Sequence, residues 1–378
     1  MQRSSVVFLL KVVLVLPIIA VVACFDVWYH YARRITPSFV RRILMREAFL
    51  LGEPSVCWEV INPVFTFLDS LFIDKYQEVS ANVKEVDRQL LEERFLSTDS
   101  LLNNPIKTSY TWYAKPAGFN PYQDPVLIFS HGGGFAIKLV PLSFNFLRNL
   151  SKAIPNMGII IHDYTVTTEE QGTHPKQLLE TLTLYDFVSK DLGCRNIYMM
   201  GESAGGNIVL GLLQHLYKSG RVLPRRAVLL SPWCNPTWSP AKHQMNGSLE
   251  YSLNKVMDAL SSRGLGTFTE MLIPRNYRFE DDPLLDIERN FDTETWRGVL
   301  QSVQLLIVYG TDEILQHEIK DFISKLDNLR DSNFSLTDNV VVDENGGHIE
   351  PVLDMTLSLE KWSQENSIRQ ILEFLVNK

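Results

Sequence analysis

A serine flanked by small residues gives this sequence its clearest chemical signal. Residues Gly201-Glu202-Ser203-Ala204-Gly205 form a G-x-S-x-G pentapeptide. An apolar run from Asn196 precedes the motif and a helical pattern follows it, so Ser203 is predicted at a sharp turn from a strand into a helix. Such a turn lifts the hydroxyl above a sheet, and the start of the helix directs free N–H groups toward it. The context therefore predicts a nucleophilic serine.

Three consecutive glycines about 70 residues earlier supply a second signal. His131-Gly132-Gly133-Gly134 directly follows a predicted strand, Val126 to Ser130. Glycine has no side chain to shield its backbone N–H group, so the group can donate to a developing oxyanion. Removing one such donor raises the activation free energy by about 3–4 kcal/mol in studied enzymes. We predict an oxyanion hole formed by the N–H groups of Gly133, Gly134 and Ala204, with Gly132 forming the turn.

A nucleophilic serine needs a base, and His348 is the histidine best placed to supply it. It follows the last predicted strand in Gly346-Gly347-His348, a loop that can present an imidazole over the sheet. The other histidines lie beside an apolar terminal run, in the glycine loop, in predicted helices or strands, or in a long insertion. They are His30, His131, His162, His174, His215, His243 and His317.

The acid that orients the base is predicted to be Asp312. It lies just past a predicted strand, Gln304 to Tyr309, where the first turn holds a short carboxylate at fixed reach. Glu313 is a close rival, and Asp281 or Asp282 is a more distant one. The chain order Ser203, Asp312, His348 is that of an α/β-hydrolase.

The pattern beyond about residue 105 predicts an α/β fold that can position these groups. Short β-rich runs alternate with longer helical patterns, which is typical of a mostly parallel central sheet flanked by helices on both faces. The interval from Asn235 to Leu300 breaks this rhythm. We predict it to be a cap insertion that forms a wall or lid of the pocket; an ordinary surface excursion is the alternative.

Composition excludes several other classes of protein. The 378 residues carry a net charge of −8, with 45% apolar and 21% charged residues, which indicates a globular protein with a large core. An acidic chain does not suit phosphate binding, so no nucleic-acid partner is expected. Cys24, Cys57, Cys194 and Cys234 show no zinc-ligand spacing. The predicted chemistry requires no metal or organic cofactor.

The N-terminus predicts a membrane anchor. In Val6 to Phe25 only Lys11 and Pro17 interrupt apolar residues and alanines, and 20 helical residues span about 30 Å, the thickness of a bilayer core. A cleaved signal peptide is the competing interpretation. The arginine-rich stretch Ile35 to Leu51 suits a helix on a membrane surface or one packed on the globular domain, and Val64 to Phe72 could extend the membrane-facing surface.

Two features disagree on the orientation of this anchor. Five arginines follow it, which favours a cytosolic catalytic side by the positive-inside rule. N-glycosylation at the N-x-S sequons of Asn149, Asn246 and Asn333 would instead require a lumenal side. Two or three sequons are expected by chance in a chain of this composition, so they carry little weight.

These motifs resemble the hormone-sensitive-lipase branch of the α/β-hydrolases, over about residues 105 to 375. The resemblance is carried by His131 to Phe135, Asp163-Tyr164, Gly201 to Asn207, Ser231-Pro232-Trp233 and Gly310 to Leu315. Within that branch the chain is most similar to fungal steryl acetyl hydrolases, and arylacetamide-deacetylase-type esterases share the layout. A Tyr-Arg-Leu-Ala-Pro run of the branch is replaced by Tyr164-Thr165-Val166-Thr167-Thr168 at the pocket rim, which affects substrate identity more than chemistry.

The resemblance implies a single-pass enzyme of the endoplasmic-reticulum membrane, with a lumenal domain that removes acetyl groups from sterols. The expected organisation is an anchor at 1–30, an amphipathic, cap-forming region at 31–104 and a catalytic domain at 105–378, with 235–300 as the cap. The partners expected are the membrane and a small lipophilic ester. Alternatives are an arylamide deacetylase, a lipase for longer acyl chains, and a binding protein on a hydrolase scaffold.

Overall fold

The computed structural model describes residues 62, 66–68, 70–92, 99–236, 258, 260, 262–274, 282–329, 339–354 and 358–377. The strands are β1 Gln77–Ala81, β2 Ile106–Ala114, β3 Pro125–Ser130, β4 Gly158–Asp163, β5 Asn196–Glu202, β6 Arg226–Leu230, β7 Gln304–Gly310 and β8 Val340–Asp343. The helices are α1 Glu85–Glu92, α2 Asp99–Leu102, α3 Pro141–Ala153, α4 Lys176–Asp186, α5 Ala204–Lys218, α6 Ser262–Leu272, α7 Thr293–Leu300, α8 Gln316–Asp327, α9 Glu350–Leu353, α10 Leu359–Gln364 and α11 Asn366–Val376. A π-helical segment, Phe187–Asp191, continues α4.

The strands form a single mostly parallel sheet in the order β1-β2-β4-β3-β5-β6-β7-β8. Strands β3 to β8 pair in parallel. The edge strand β1 is antiparallel to β2, and β2 is antiparallel to β4. In a parallel sheet all carboxyl ends meet at one edge, where ligands bind in open α/β folds. Strands β3, β5, β6, β7 and β8 therefore bring the predicted site loops to the same edge.

Helices cover both faces of the sheet, as the continuous apolar strands predict. On one face, Val126 and Ile128 of β3 belong to a core that includes α4, α5, α7 and α8. On the other, Leu127 and Phe129 pack in a core with α3, α9, α10 and α11. The alternation within one strand thus serves two hydrophobic layers.

The structure differs from the sequence prediction at the edge of the sheet. Strand β1 was not predicted, because its exposed residues, Gln77–Ala81, lack an apolar run. It nevertheless pairs with β2, for example Gln77 with Tyr110. Within the described residues the sheet therefore starts at Gln77, and the expected domain boundary at 105 falls between two paired strands. The C-terminal helical residues are divided into α10 and α11 by the extended backbone of Glu365.

A buried ionic cluster attaches α1 to the core. Asp87 accepts hydrogen bonds from His215 Nε2 at 2.8 Å and from Arg221 Nη1 and Nη2 at 2.6 and 2.5 Å. These donors hold the pKa of Asp87 at about 2, although burial acts in the opposite direction. Because His215 lies on α5, the N-terminal part of the fold is attached to the helix that follows Ser203.

The predicted N-terminal segments, Val6 to Phe25 and Ile35 to Leu51, lie outside the described residues. Among the helices that the structure does describe, none has the length and apolarity needed to cross a bilayer. Within the predicted cap insertion, residues 237–257, 259, 261 and 275–281 also lie outside the described residues.

Candidate active site

The backbone at Ser203 has the strained conformation expected of a nucleophile at a strand-to-helix turn. Its φ of 54° and ψ of −117° lie in a region that non-glycine residues rarely adopt. Two hydrogen bonds fix this conformation: the Ser203 N–H donates to Leu230 O at 2.9 Å, and Trp233 N–H donates to Ser203 O at 3.0 Å. Strain at a buried serine between β5 and α5 is typical of a catalytic residue.

The glycines on either side of this serine are required by close backbone contacts. A Cβ at Gly205 would lie 2.0 Å from Ser130 O, and a Cβ at Gly201 would lie 2.3 Å from Gly205 O. Both distances are far below van der Waals contact, and the obstructing atoms are backbone atoms. The G-x-S-x-G spacing thus allows β3, β5 and α5 to pack tightly beneath Ser203.

The glycine loop after β3 is held in place by buried polar groups. Glu202 Oε1 accepts hydrogen bonds from Gly132 N–H and from Ser143 Oγ, both at 3.0 Å. Burial raises the pKa of Glu202 to about 7. The Tyr164 hydroxyl donates to His131 O at 2.9 Å, and its ring stacks on the His131 ring with centroids 4.2 Å apart. His131 therefore belongs to the support of this loop.

The three predicted oxyanion donors border the same space as Ser203. Gly133 and Gly134 have φ angles of 100° and 59°, and both line a cavity with Ser203, while Ala204 is the first residue of α5. Within the described part of the chain, no group accepts a hydrogen bond from the N–H of Gly133, Gly134 or Ala204. These donors are the kind of backbone groups that an oxyanion hole uses.

His348 lies in the same cavity and is buried. Neither of its ring nitrogens has a hydrogen-bond partner among the described residues, and burial lowers its pKa to about 4. A neutral imidazole at pH 7 is the form that can accept a proton. The structure therefore brings Ser203 and His348 to one cavity, as the sequence predicts.

Glu313, the rival of the predicted Asp312, forms an ion-pair contact with the ring of His348. Glu313 Oε2 lies 3.7 Å from His348 Nδ1, and both side chains are buried. Asp312 is half-exposed, and its N–H donates to Gly346 O at 2.8 Å. Burial raises the pKa of Glu313 to about 8, while the hydrogen bond from Ser231 acts to lower it. The longer side chain, one residue further on, reaches the base from beneath the loop.

The cavity at this site is small and apolar where the structure describes its walls. It encloses about 60 Å³ between the glycine loop, Ser203, Glu202, Trp233 and His348 on one side and a set of apolar side chains on the other. The apolar set is Ile137, Val140, Leu260, Leu265, Phe268, Ile349 and Leu353. Leu260, Leu265 and Phe268 come from the predicted insertion, so part of it borders the site.

Sequence reasoning missed Asp258, a fully buried carboxylate of the predicted insertion. Its oxygens accept hydrogen bonds from His348 N–H at 3.1 Å and Ile314 N–H at 2.7 Å. Nothing in the local pattern distinguishes it from a surface aspartate. Asp282, a remote candidate for the acid, instead contacts His174 Nε2 at 2.8 Å, and Asp281 lies outside the described residues.

The predicted modification at Asn149 is not supported by its position. Asn149 lies within α3 and is 1% exposed, and a buried helical side chain cannot carry a glycan in the folded protein. Asn246 and Asn333 lie outside the described residues. In the described residues, no group of three or more His, Cys, Asp or Glu side chains is arranged to hold a metal ion.

Comparison with known proteins shows the family to which the chain belongs. The family model described as steryl acetyl hydrolase matches residues 6–374. The chain belongs to that family. It is 34% identical over 371 residues to steryl acetyl hydrolase 1 of Saccharomyces cerevisiae, covering 96% of this chain and 86% of the yeast protein. As a member of this family it is a carboxylic ester hydrolase.

Solved structures show that the family member described here has the α/β-hydrolase fold. A fungal esterase from Rhizomucor miehei has 17% identity and a TM-score of 0.61, covering 91% of this chain and 97% of that one. An esterase of the bacterial hormone-sensitive-lipase family has 18% identity and a TM-score of 0.56, covering 91% and 98%. The α/β-hydrolase fold suggested by the motifs is confirmed.

Proposed function

We propose that Ser203, His348 and Glu313 form the catalytic triad of this hydrolase. The observation that carries the proposal is that a strained serine shares a buried cavity with a histidine whose ring faces a buried carboxylate at 3.7 Å. The Glu313–His348 separation is longer than a hydrogen bond. Catalytic hydrogen bonds are often long in unliganded enzymes and shorten when substrate binds.

In the proposed reaction, Ser203 Oγ attacks the ester carbonyl while His348 takes its proton. The N–H groups of Gly133, Gly134 and Ala204 stabilise the negative charge on the carbonyl oxygen. His348 then gives its proton to the departing alcohol, leaving an acyl group on Ser203. Water repeats the sequence and releases the acid, and Glu313 stabilises the imidazolium in both halves.

The proposed substrates are acetyl esters of sterols or of similar lipophilic alcohols. Family membership supports the sterol, and the small cavity supports the acetyl group. About 60 Å³ between described walls is far below the roughly 300 Å³ that begins the range for drug-sized ligands. A short acyl group fits such a space, whereas a sterol nucleus requires room outside it.

The chain is further proposed to be a single-pass protein of the endoplasmic-reticulum membrane with a lumenal catalytic domain. The apolar run from Val6 to Phe25 supports the anchor. Phe67, Leu71 and Phe72 are 56–65% exposed, which adds an apolar surface close to the N-terminal side of the fold. Sealed microsomes test this topology. A lumenal catalytic domain should be protected from added protease, and any glycan it carries should be removed by endoglycosidase H. Digestion of an unglycosylated catalytic domain by protease added outside the microsomes would contradict the proposal.

The triad is tested by substitution of Ser203 in the full-length enzyme. Ser203→Ala should abolish both hydrolysis of a chromogenic acetate ester and labelling by a fluorophosphonate probe. Ser219→Ala, which removes a hydroxyl at the far end of α5, should change neither. Activity that persists in Ser203→Ala would contradict the proposal.

A panel of esters tests the substrate class. Steryl acetate should be hydrolysed in preference to the butyrate, the oleate and an arylacetamide. Preference for the oleate would indicate a lipase, and preference for the amide would indicate an arylacetamide deacetylase.

A further inference from the structure

A single buried carboxylate connects the two loops that carry the proposed base and acid. Asp258 lies between β6 and β7 and is 0% exposed. Its Oδ1 accepts the N–H of His348 at 3.1 Å, and its Oδ2 accepts the N–H of Ile314 at 2.7 Å. One hydrogen bond thus goes to the base residue itself and the other to the residue after Glu313.

The two loops are also joined at their bases by other hydrogen bonds. Asp312 N–H donates to Gly346 O at 2.8 Å, and Asn345 N–H donates to Thr311 Oγ1 at 2.8 Å. These contacts lie before Glu313 and before His348 in their loops. Asp258 fixes the loops further along, where the catalytic side chains branch off.

The charge of Asp258 also faces the catalytic pair. Its carboxylate raises the pKa of His348. The Glu313 carboxylate in turn contributes to raising the pKa of Asp258. Removing the charge at position 258 therefore lowers the pKa of His348. Burial raises the pKa of Asp258 itself to about 6.

We propose that Asp258 is a positioning residue that sets the geometry between His348 and Glu313. This inference rests on the proposed triad. The carboxylate does not line the cavity within the described residues, so it does not contact the substrate there. Asp258 lies between β6 and β7 in sequence, and its two oxygens supply acceptors that join the loop after β7 to the loop after β8.

The test compares Asp258→Asn with Asp282→Asn in the full-length enzyme. An asparagine at 258 has one acceptor oxygen and places an amide against the second N–H. Misplacement of catalytic groups by about 1 Å can cost about 100-fold in rate, so kcat should fall by about that factor while KM for a chromogenic acetate stays within threefold. The acid limb of the pH profile, where kcat/KM rises with pH, should move to lower pH. The reason is that the negative charge of Asp258, which raises the pKa of His348, is gone.

Asp282 is the matched control because it is equally buried and bonds His174 in the same interval. Asp282→Asn is expected to lower thermal stability without moving the acid limb. Rates are normalised to the number of serines labelled at completion by a fluorophosphonate. Wild-type kcat per labelled serine and an unmoved limb in Asp258→Asn would overturn the proposal.

A second variant keeps the proposal testable if Asp258→Asn does not fold. Asp258→Glu retains both acceptor oxygens and the charge but displaces them by one methylene. The kcat should therefore fall about tenfold at unchanged KM. A wild-type kcat in Asp258→Glu would show that the exact placement of the carboxylate does not matter and would overturn the proposal. Wild-type enzyme that fails to label at Ser203 would contradict the triad itself, which separates the two failures.

Discussion

The Ser231 hydroxyl donates a 2.5 Å hydrogen bond to Glu313 Oε2, the carboxylate oxygen that faces His348. The same hydroxyl accepts the N–H of Ile349 at 2.9 Å. Ser231 lies immediately after β6, and both the proposed acid, Glu313, and the residue after the proposed base, Ile349, contact it. The Ser-Pro-Trp segment after β6 therefore takes part in the electrostatics of the site.

Ser231→Ala should move the acid limb of activity to higher pH. The hydrogen bond from Ser231 favours the ionised form of Glu313. A hydrogen bond to a charged group contributes about 1.5 kcal/mol, or about one pH unit. Without it Glu313 ionises only at higher pH, so the limb of kcat/KM should rise by about one unit. The control is Thr183→Val, which removes a buried hydroxyl bonded within α4 and should leave the acid limb in place. An acid limb unchanged in Ser231→Ala as well would argue against Glu313 as the acid.

Exchange of one carboxylate for an amide distinguishes Glu313 from its neighbour. Glu313→Gln should lower kcat by about 10³–10⁴-fold, because the amide cannot stabilise the imidazolium that forms on His348. Asp312→Asn should retain activity within threefold, since the side chain of Asp312 is half-exposed. The measurement is steady-state hydrolysis of an acetate ester. The reverse ranking would restore Asp312 as the acid.

Truncation of Phe268 should relax the limit on acyl length. Its ring packs on Gly134, where an added Cβ would lie 2.4 Å from the ring, and it lines the cavity beside Ser203. Phe268→Ala should raise kcat/KM for a hexanoate relative to an acetate by about tenfold, in the range that one or two methylenes contribute in a pocket. Leu272→Ala, a buried truncation in the same helix outside the cavity lining, should not change this ratio. An unchanged ratio in Phe268→Ala would place the acyl group elsewhere.

Loss of the Asp87 carboxylate should destabilise the fold. Asp87→Asn removes the charge that both Nη atoms of the buried Arg221 contact and leaves its guanidinium the longer contact with Asp186 Oδ1 at 3.3 Å. Breaking a buried pair in this way costs about 3 kcal/mol. The pKa of Asp87 is lowered to about 2, so its contribution is complete above the unfolded value of about 4 and is lost as the pH falls through about 2.

Thermal unfolding between pH 3 and pH 8 measures the effect of Asp87. The difference between wild type and Asp87→Asn should be constant above about pH 5 and shrink below about pH 4. Glu78→Gln, which removes an exposed ion pair with Lys107, should change stability by less than about 1 kcal/mol. Equal effects of the two substitutions would show that the Asp87 cluster is not a major source of stability.

The predictable part of this protein is the part that local sequence determines. Buried strands such as Gly158–Asp163 show a continuous apolar pattern, and Ser203 lies at a turn that only small flanking residues permit. Spacing cannot rank Asp312 against Glu313 as the acid, because the ranking depends on side-chain reach across a loop. Strand β1 and Asp258 were missed because an exposed edge strand and a long-range buried carboxylate have no local pattern.

The pairing of β1 with β2 has a practical consequence for anyone who shortens this chain. A fragment that starts at residue 105 would expose the hydrogen-bonding edge of β2, and it would leave Arg221 and His215 facing an empty position. Such a fragment is expected to aggregate through its new sheet edge. A soluble version of the enzyme should therefore keep the chain from at least Gln77 onward.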